Sequence, residues 1–272
     1  MKGYVVSNRS KVIEELRSLP QYKELFLTLV WKNLRLQYQS VVLGLIWGVV
    51  FPLLMSGIFF FALGSRLGSD FSDYFIFLFS GFIFWNVFAS SLIQSANCMI
   101  QEHEMLKKVY FPRLLLPLSF VAAKLLDLLI TLVILTGILV FIEMDIHWPA
   151  YLGVSLLSVL FLVLMAAGFC LSFSVLLVRF RGLQVIYPII IQAIIFTSSV
   201  IYESNLTIEN EVIRFLFQLN PITVILKPFR EVIFFGEIHF TSLFMAFCFS
   251  TAICFSGLLW FKLEDKNLID RL

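Results

Sequence analysis

The chain has 272 residues, of which 60% are hydrophobic, 16% aromatic and only 14% charged. A soluble domain carries roughly 45–50% apolar and about 25% charged residues, so this composition excludes a water-facing globular surface and places the chain in a bilayer. The formal net charge of +2 is too small for nucleic-acid binding; its meaning lies in where the charges fall.

Residues 1–40 precede the first apolar run. With seven basic and three acidic groups they hold no uninterrupted apolar core, which argues against a signal peptide and predicts that the first span is retained. Within 21–39, Tyr22, Leu25, Phe26 and Leu29 recur at i, i+3, i+4 and i+7, with Lys23, Glu24, Lys32 and Arg35 placed to face water. This pattern predicts an amphipathic helix in the cytoplasmic interface, with Trp31 and Tyr38 at headgroup depth. Lys32 and Arg35 are the candidates for attracting an anionic lipid head group as it is admitted. A juxtamembrane linker is the alternative.

Six apolar runs approach or exceed the roughly 20 residues a helix needs to cross hydrocarbon: 41–63, 74–100, 114–142, 150–178, 183–202 and 240–261. Unpaired backbone groups are prohibitive in lipid, so continuous apolar runs predict helices, whereas a β-barrel would alternate in strands of about ten residues. The predicted fold is an all-α integral membrane protein with six transmembrane helices, the membrane domain covering 41–262. The connection 203–239 is too long for a loop and too apolar for solvent, and Pro221 and Pro228 interrupt it. It predicts a re-entrant helical hairpin between helices five and six. Lys and Arg outside the spans divide fifteen to one side and four to the other, which predicts that both termini, including the tail 263–272, are cytoplasmic.

Chemistry is sparse. There is no G-x-x-x-x-G-K-[ST] phosphate loop, so energy must come from elsewhere, and no residue is assigned a catalytic role. No cofactor is expected on this chain. Cys98, Cys170, Cys248 and Cys254 lie inside apolar runs without C-x-x-C spacing, and His103, His147 and His239 fall in three separate connections, so no metal site is expected. Lys124 and Asp127, the only charges inside a span, stand at i, i+3 on one helical face and predict a structural ion pair. Asn86, Ser90, Gln94 and Asn97 form a polar stripe on span two, and Gln184, Gln192 and Ser199 nearly one on span five; such stripes bond neighbouring helices or line an aqueous path. Gly44 and Gly48 form a G-x-x-x-G in span one. Trp47 and Phe51 share a face of span one, Trp85 and Phe88 a face of span two. Flat aromatic faces support sugar rings without fixed registry, which makes these four, with Tyr187, the candidate sugar contacts; lipid-facing side chains are the alternative.

Four segments together prompt a family comparison: YQSVVLGLIWGVVFPLL (Tyr38 to Leu54), FSGFIFWNVFASSLIQSAN (Phe79 to Asn97), LKKVYFPR (Leu106 to Arg113) and LNP (Leu219 to Pro221). The chain resembles the permease subunit of ABC-2 type polysaccharide exporters, which move O-antigen, capsular or teichoic-acid polymers on lipid carriers. The resemblance implies a multi-pass protein of the bacterial inner membrane, working as a homodimer with two separate ATP-binding cassette subunits. ATP and Mg would then be bound by that partner, and a lipid-linked polysaccharide would pass between two permeases. By the same resemblance, segment 101–108 is the coupling helix that docks into the ATPase, with Glu102, His103, Glu104, Lys107 and Lys108 as contacts. An ABC-2 exporter of drugs or small lipids shares this architecture. A membrane-bound glycan polymerase or transferase would need an acid/base cluster, which Glu203, Glu209 and Glu211 do not supply.

Overall fold

The computed structural model describes residues 19–39, 44–64, 71–109, 111–202, 217 and 220–271, with side chains at 20–38, 48–63, 72–109, 111–202, 217 and 220–265. Every regular element among them is helical. After a 3₁₀ turn, α1 spans Lys23–Gln39 and α2 spans Gly44–Phe59, closing in a π turn at Phe60–Gly64. The long α3 (Phe71–Ala96) is followed by two short helices, α4 (Cys98–Gln101) and α5 (His103–Lys108). Next come α6 (Leu115–Phe141), α7 (Trp148–Arg179) and α8 (Leu183–Ala193) with its 3₁₀ extension Ile194–Thr197. Helices α9 (Pro221–Phe235) and α10 (Phe240–Arg271) complete the order.

Among the described residues, four helices are long and apolar enough to cross a membrane: Ser72–Gln101, Leu115–Phe141, Trp148–Arg179 and Phe240–Asp265. They fall on the second, third, fourth and sixth expected spans. The runs at 41–63 and 183–202 yield shorter apolar helices, Gly48–Leu63 and Leu183–Thr197. The first includes residues outside the described set, and the second gives way to a 3₁₀ turn and then a bend at Ser198. Of the expected re-entrant hairpin, 203–216 and 218–219 lie outside the described residues; α9 is its described half.

Local chemistry accounts for the helix ends. At the start of α7, Ala150 N donates to His147 Nδ1 (3.4 Å) and a proline occupies the first turn. Asn220 Oδ1 accepts from Ile222 N (3.1 Å) at the start of α9, Pro221 fills its first position, and Gly236 ends it in the left-handed region at φ +68°. Several hydroxyls inside the spans donate to their own helix, as Ser80 does to Phe77 O (2.8 Å) and Thr131 to Asp127 O (2.8 Å).

Burial divides into two clusters. The larger is built on α3, α6, α7 and α9 and includes Phe79, Phe82, Phe84, Leu128, Tyr151, Met165 and Phe229. The smaller lies at the end carrying α4 and α5, where Leu29 of α1 meets Met99, Leu106, Phe111, Leu115, Val175 and Phe261. Tyr22, Leu25 and Phe26 pack against this second cluster, so the apolar stripe of α1 faces the protein, while Leu27, Trp31 and Leu36 are exposed on its other side. In the tail range 263–272 helix α10 continues to Arg271. Glu264 and Asp265 meet Arg179 (3.7 Å) and Arg113 (3.1 Å), which tie the end of α10 to the end of α7 and to the chain leaving α5.

Candidate functional site

Segment 101–108 is not one continuous helix: Glu102 breaks it at φ −99°, ψ 19°, and α5 starts at His103. Glu102 turns inward to Lys32 of α1, with Nζ 2.5 Å from Oε1. The candidate head-group cation Lys32 and the candidate coupling residue Glu102 therefore occupy each other, while Arg35 is exposed. His103 Nδ1 lies 3.1 Å from Ile100 O and its Nε2 3.2 Å from Glu104 Oε1. Glu104 also pairs with Lys108 at i+4 (3.1 Å), an arrangement worth only a few tenths of a kcal/mol at ~0.3–0.5. Glu104, Lys107 and Lys108 are the outward-facing members, and Leu106 anchors α5 in the second cluster.

A ladder of polar contacts holds α1 against the bundle. Beyond Lys32, Asn33 Nδ2 donates to Ser119 Oγ (2.8 Å) on α6. Further along, Gln37 Nε2 donates to Asp127 Oδ2 (2.8 Å) and the Tyr38 hydroxyl to Asp127 Oδ1. Lys124 Nζ stands 3.3 Å from the same Oδ2, and both side chains of this pair are buried. Span three thus carries its own counter-ion, and α1 is bound to the carboxylate through neutral donors. Burial, and then the hydrogen bond to Asp127, push the Tyr38 phenol well above its ordinary pKa, so it remains a donor at any cellular pH. Removing that donor by Tyr38→Phe will loosen α1 by about 1–2 kcal/mol. Amide exchange across Lys23–Gln39 will rise relative to Thr28→Ala, whose hydroxyl bonds only its own helix at Glu24 O (2.8 Å); equal exchange in the two variants would place the hold elsewhere.

The aromatic candidates differ in how far the chain itself encloses them. Trp85 (5% exposed), Phe88 (3%) and Tyr187 (5%) are enclosed within the chain. They belong to one aromatic run: Trp85 to Phe88 (6.2 Å), Phe88 edge-on to Phe169 (5.8 Å), Phe169 to Phe173 (5.9 Å) and Phe173 to Tyr187 (4.9 Å). Phe51 is half-buried, and the Trp47 side chain lies outside the described residues. Gly48 meets α6: a Cβ there would stand 3.4 Å from Asp127 Oδ1.

Arg230 is the charged residue that sequence reading counted only as part of a connection. It is buried in α9 and donates to Ser199 O (2.5 Å), Phe77 O (2.7 Å) and Ser80 Oγ (3.3 Å), with its guanidinium 3.5 Å from the centre of the Phe77 ring. The signal available was two basic residues, Lys227 and Arg230, beside Glu231 in the otherwise apolar stretch Val224 to Phe235, and spacing does not say which of them is buried.

The sequence of the ABC-2 type transporter family matches residues 24–234, from the start of α1 to the end of α9. The chain belongs to the ABC-2 type transporter family. Two O-antigen export system permease proteins RfbA of Klebsiella pneumoniae are each 26% identical to it over 217 residues, covering 80% of this chain and 83% of theirs. An RfbA of Myxococcus xanthus is 26% identical over 226 residues, covering 82% and 85%. The chain is thus an ABC-2 permease, a multi-pass membrane component of a transporter, with relatives in O-antigen export. The matched range takes in the whole α1 to α6 ladder and the outward face of α5, and it stops before α10.

Proposed function

We propose that this chain is the permease of an ATP-driven exporter that moves a lipid-linked polysaccharide across the bacterial cytoplasmic membrane. The observation that carries the reading is the family match joined to O-antigen permeases aligned over four-fifths of the chain. In this reading Gly48–Leu63 and Leu183–Thr197 act as spans one and five, making six, and 203–239 re-enters the outer leaflet. Both termini are cytoplasmic. Two copies of the chain pair with two ATP-binding subunits, which hold ATP and Mg; the permease itself performs no chemistry.

The face formed by Glu104, Lys107 and Lys108 docks the partner. Its mixed charges suit a water-exposed contact in which complementarity governs recognition. Lys32 and Glu102 lie behind that face and link it to α1, so a push on α5 is passed to the helix that borders span one. Arg35, exposed on α1, attracts the anionic head of the lipid carrier. Trp47 and Phe51 remain candidates for sugar contacts, whereas Trp85, Phe88 and Tyr187 reach a polymer only when the helices packed over them part.

The test is export by proteoliposomes holding both subunits and a lipid-linked glycan extracted from the source cells. Glycan will appear on the far side only with ATP, and Lys107→Glu with Lys108→Glu will lower binding of the ATPase by roughly ten-fold or more, the scale of two reversed surface charges. Export by the permease alone, or nucleotide hydrolysis by it, would end this reading. An ABC-2 drug or small-lipid exporter would show instead a changed drug tolerance with glycan export intact.

A further inference from the structure

Of the four long spans, α3 is the most enclosed and α10 the least, and the two differ in what they leave uncovered. The outward side chains of α10 are mostly apolar, among them Phe244, Met245, Phe247, Phe255 and Leu259, and its Thr251 and exposed Ser256 hydroxyls bond their own helix. Between Phe79 and Ile100 the side chains that the chain does not bury are Asn86, Ser90, Ile93, Gln94, Asn97 and Ile100. Over residues 79–100 the open strip is therefore the polar stripe, with Ile93 and Ile100 beside it. The amides of Asn86, Gln94 and Asn97 make no hydrogen bond to any described residue, and Ser90 bonds only its own helix at Val87 O (3.3 Å).

An amide without a partner is strongly disfavoured in hydrocarbon, and α10 demonstrates what this sequence places against lipid. Amides of this kind also bond across helices, but no described helix of this chain supplies that partner, so a helix seated on the strip would have to come from a second copy. The alternative to such a seam is water and a polar ligand, and the length and chemistry of the strip favour it. Spacings of four, four and three keep the groups on one face for about 16 Å at 1.5 Å rise per residue. Each carboxamide both donates and accepts, matching sugar hydroxyls, and none carries a charge that would pin a passing chain.

We infer that Asn86, Ser90, Gln94 and Asn97 form a hydrogen-bonding rail that lines a water-filled path and takes the neutral sugar units of the cargo, with Trp85 and Phe88 buried behind it. The ligand class rests on the polysaccharide-export reading; the wet face does not.

The experiment uses the complex with its ATPase in liposomes. Gln94→Cys and Asn86→Cys are labelled by a water-soluble, charged methanethiosulfonate in a Cys254→Ser background, with native Cys248 as the internal reference, since it is exposed on α10 while Cys98 and Cys170 are buried and Cys254 is half-buried. The stripe thiols will react roughly ten-fold faster or more than Cys248, because reaction follows access of water and reagent to the thiolate. Loading with lipid-linked glycan extracted from the source cells, without ATP, will slow them several-fold. Gln94→Leu will lower export roughly five- to ten-fold, the scale of one lost neutral hydrogen bond, with assembly and ATP hydrolysis unchanged. Stripe thiols no faster than Cys248 would make the face dry and overturn the proposal, and loss of association between copies in Gln94→Leu would make it a seam between subunits. Fast labelling without protection, in a complex that exports glycan, would overturn the ligand class. Fast labelling in a wild-type complex that exports no glycan would instead remove the export reading.

Discussion

Gly257→Leu will leave little folded protein in the membrane, and Gly257→Ala will already lower the melting temperature sharply. A Cβ at Gly257 would lie 2.1 Å from Gly168 O, and one at Gly168 would lie 2.4 Å from Ile253 O. Both obstacles are backbone, so no rotamer change relieves them; α7 and α10 must move apart. That separation would open the seam that also holds Phe261 in the second cluster and Arg179 beside Glu264. Overpacking typically costs about 1–3 kcal/mol and sometimes more, and a backbone-to-backbone crossing puts this pair at the upper end. Gly153, in the same α7, has nothing within 4 Å of its would-be Cβ, so Gly153→Ala is the control and will be neutral or slightly stabilising through helix propensity. Heating in detergent followed by size-exclusion chromatography reads the difference. A Gly257→Ala protein that survives as well as Gly153→Ala would show that the crossing is not tight.

That crossing shows which parts of the fold were legible in the sequence. Length and hydropathy mark the helices that can span, and they matched at 74–100, 114–142, 150–178 and 240–261, because some twenty consecutive apolar residues leave the backbone no alternative in lipid. They do not say which helix touches which. Gly44 and Gly48 had the spacing associated with close packing, yet the crossing of α7 and α10 uses Gly168 and Gly257, which no local pattern joins. Hydropathy also ended span six at 261, although α10 runs on to Arg271; once the chain leaves the apolar stretch, helix propensity and the pairing of Glu264 and Asp265 carry it.

The same limit governs the site. Lys124 and Asp127 could be paired on spacing because they share a helix face. Gln37 and Tyr38 could not be assigned to that carboxylate, since periodicity has no information about a contact ninety residues away. Sequence alone separates Lys32, at the lipid, from Glu102, at the partner, and the structure joins them in one ion pair. The aromatic faces of spans one and two suggested sugar contacts on chemistry alone. Which side of α3 is covered depends on α6, α7 and α9, and those helices enclose Trp85 and Phe88 while leaving the amides open.

Arg230→Leu will unfasten the end of the bundle opposite α4 and α5. The side chain is 7% exposed and joins three elements: α9, which carries it, the first turns of α3 through Phe77 O and Ser80 Oγ, and the turn beyond α8 through Ser199 O. Hydrogen bonds to a charged group are worth about 1.5–3 kcal/mol each where their partners are left buried, but bonds between helices in membranes average about 0.6, so a total loss near 3 kcal/mol is the reasonable expectation. Lysine will not restore it, because a single ammonium cannot reach carbonyls on two sides and also lie flat over the Phe77 ring, 3.5 Å from its centre. Gly81 supplies the check. A Cβ there would fall 2.6 Å from Arg230 Nη2 and 3.0 Å from Val200 O, so Gly81→Ala displaces the guanidinium and is damaging while Arg230 is present. In the double variant Gly81→Ala with Arg230→Leu that part of the damage disappears, and the combined loss of thermal stability will be clearly smaller than the sum of the two. Additive losses, or an Arg230→Lys protein as stable as the wild type, would mean that α9 is held by its apolar face, with Phe229 against Phe84 at 5.0 Å, and not by the guanidinium.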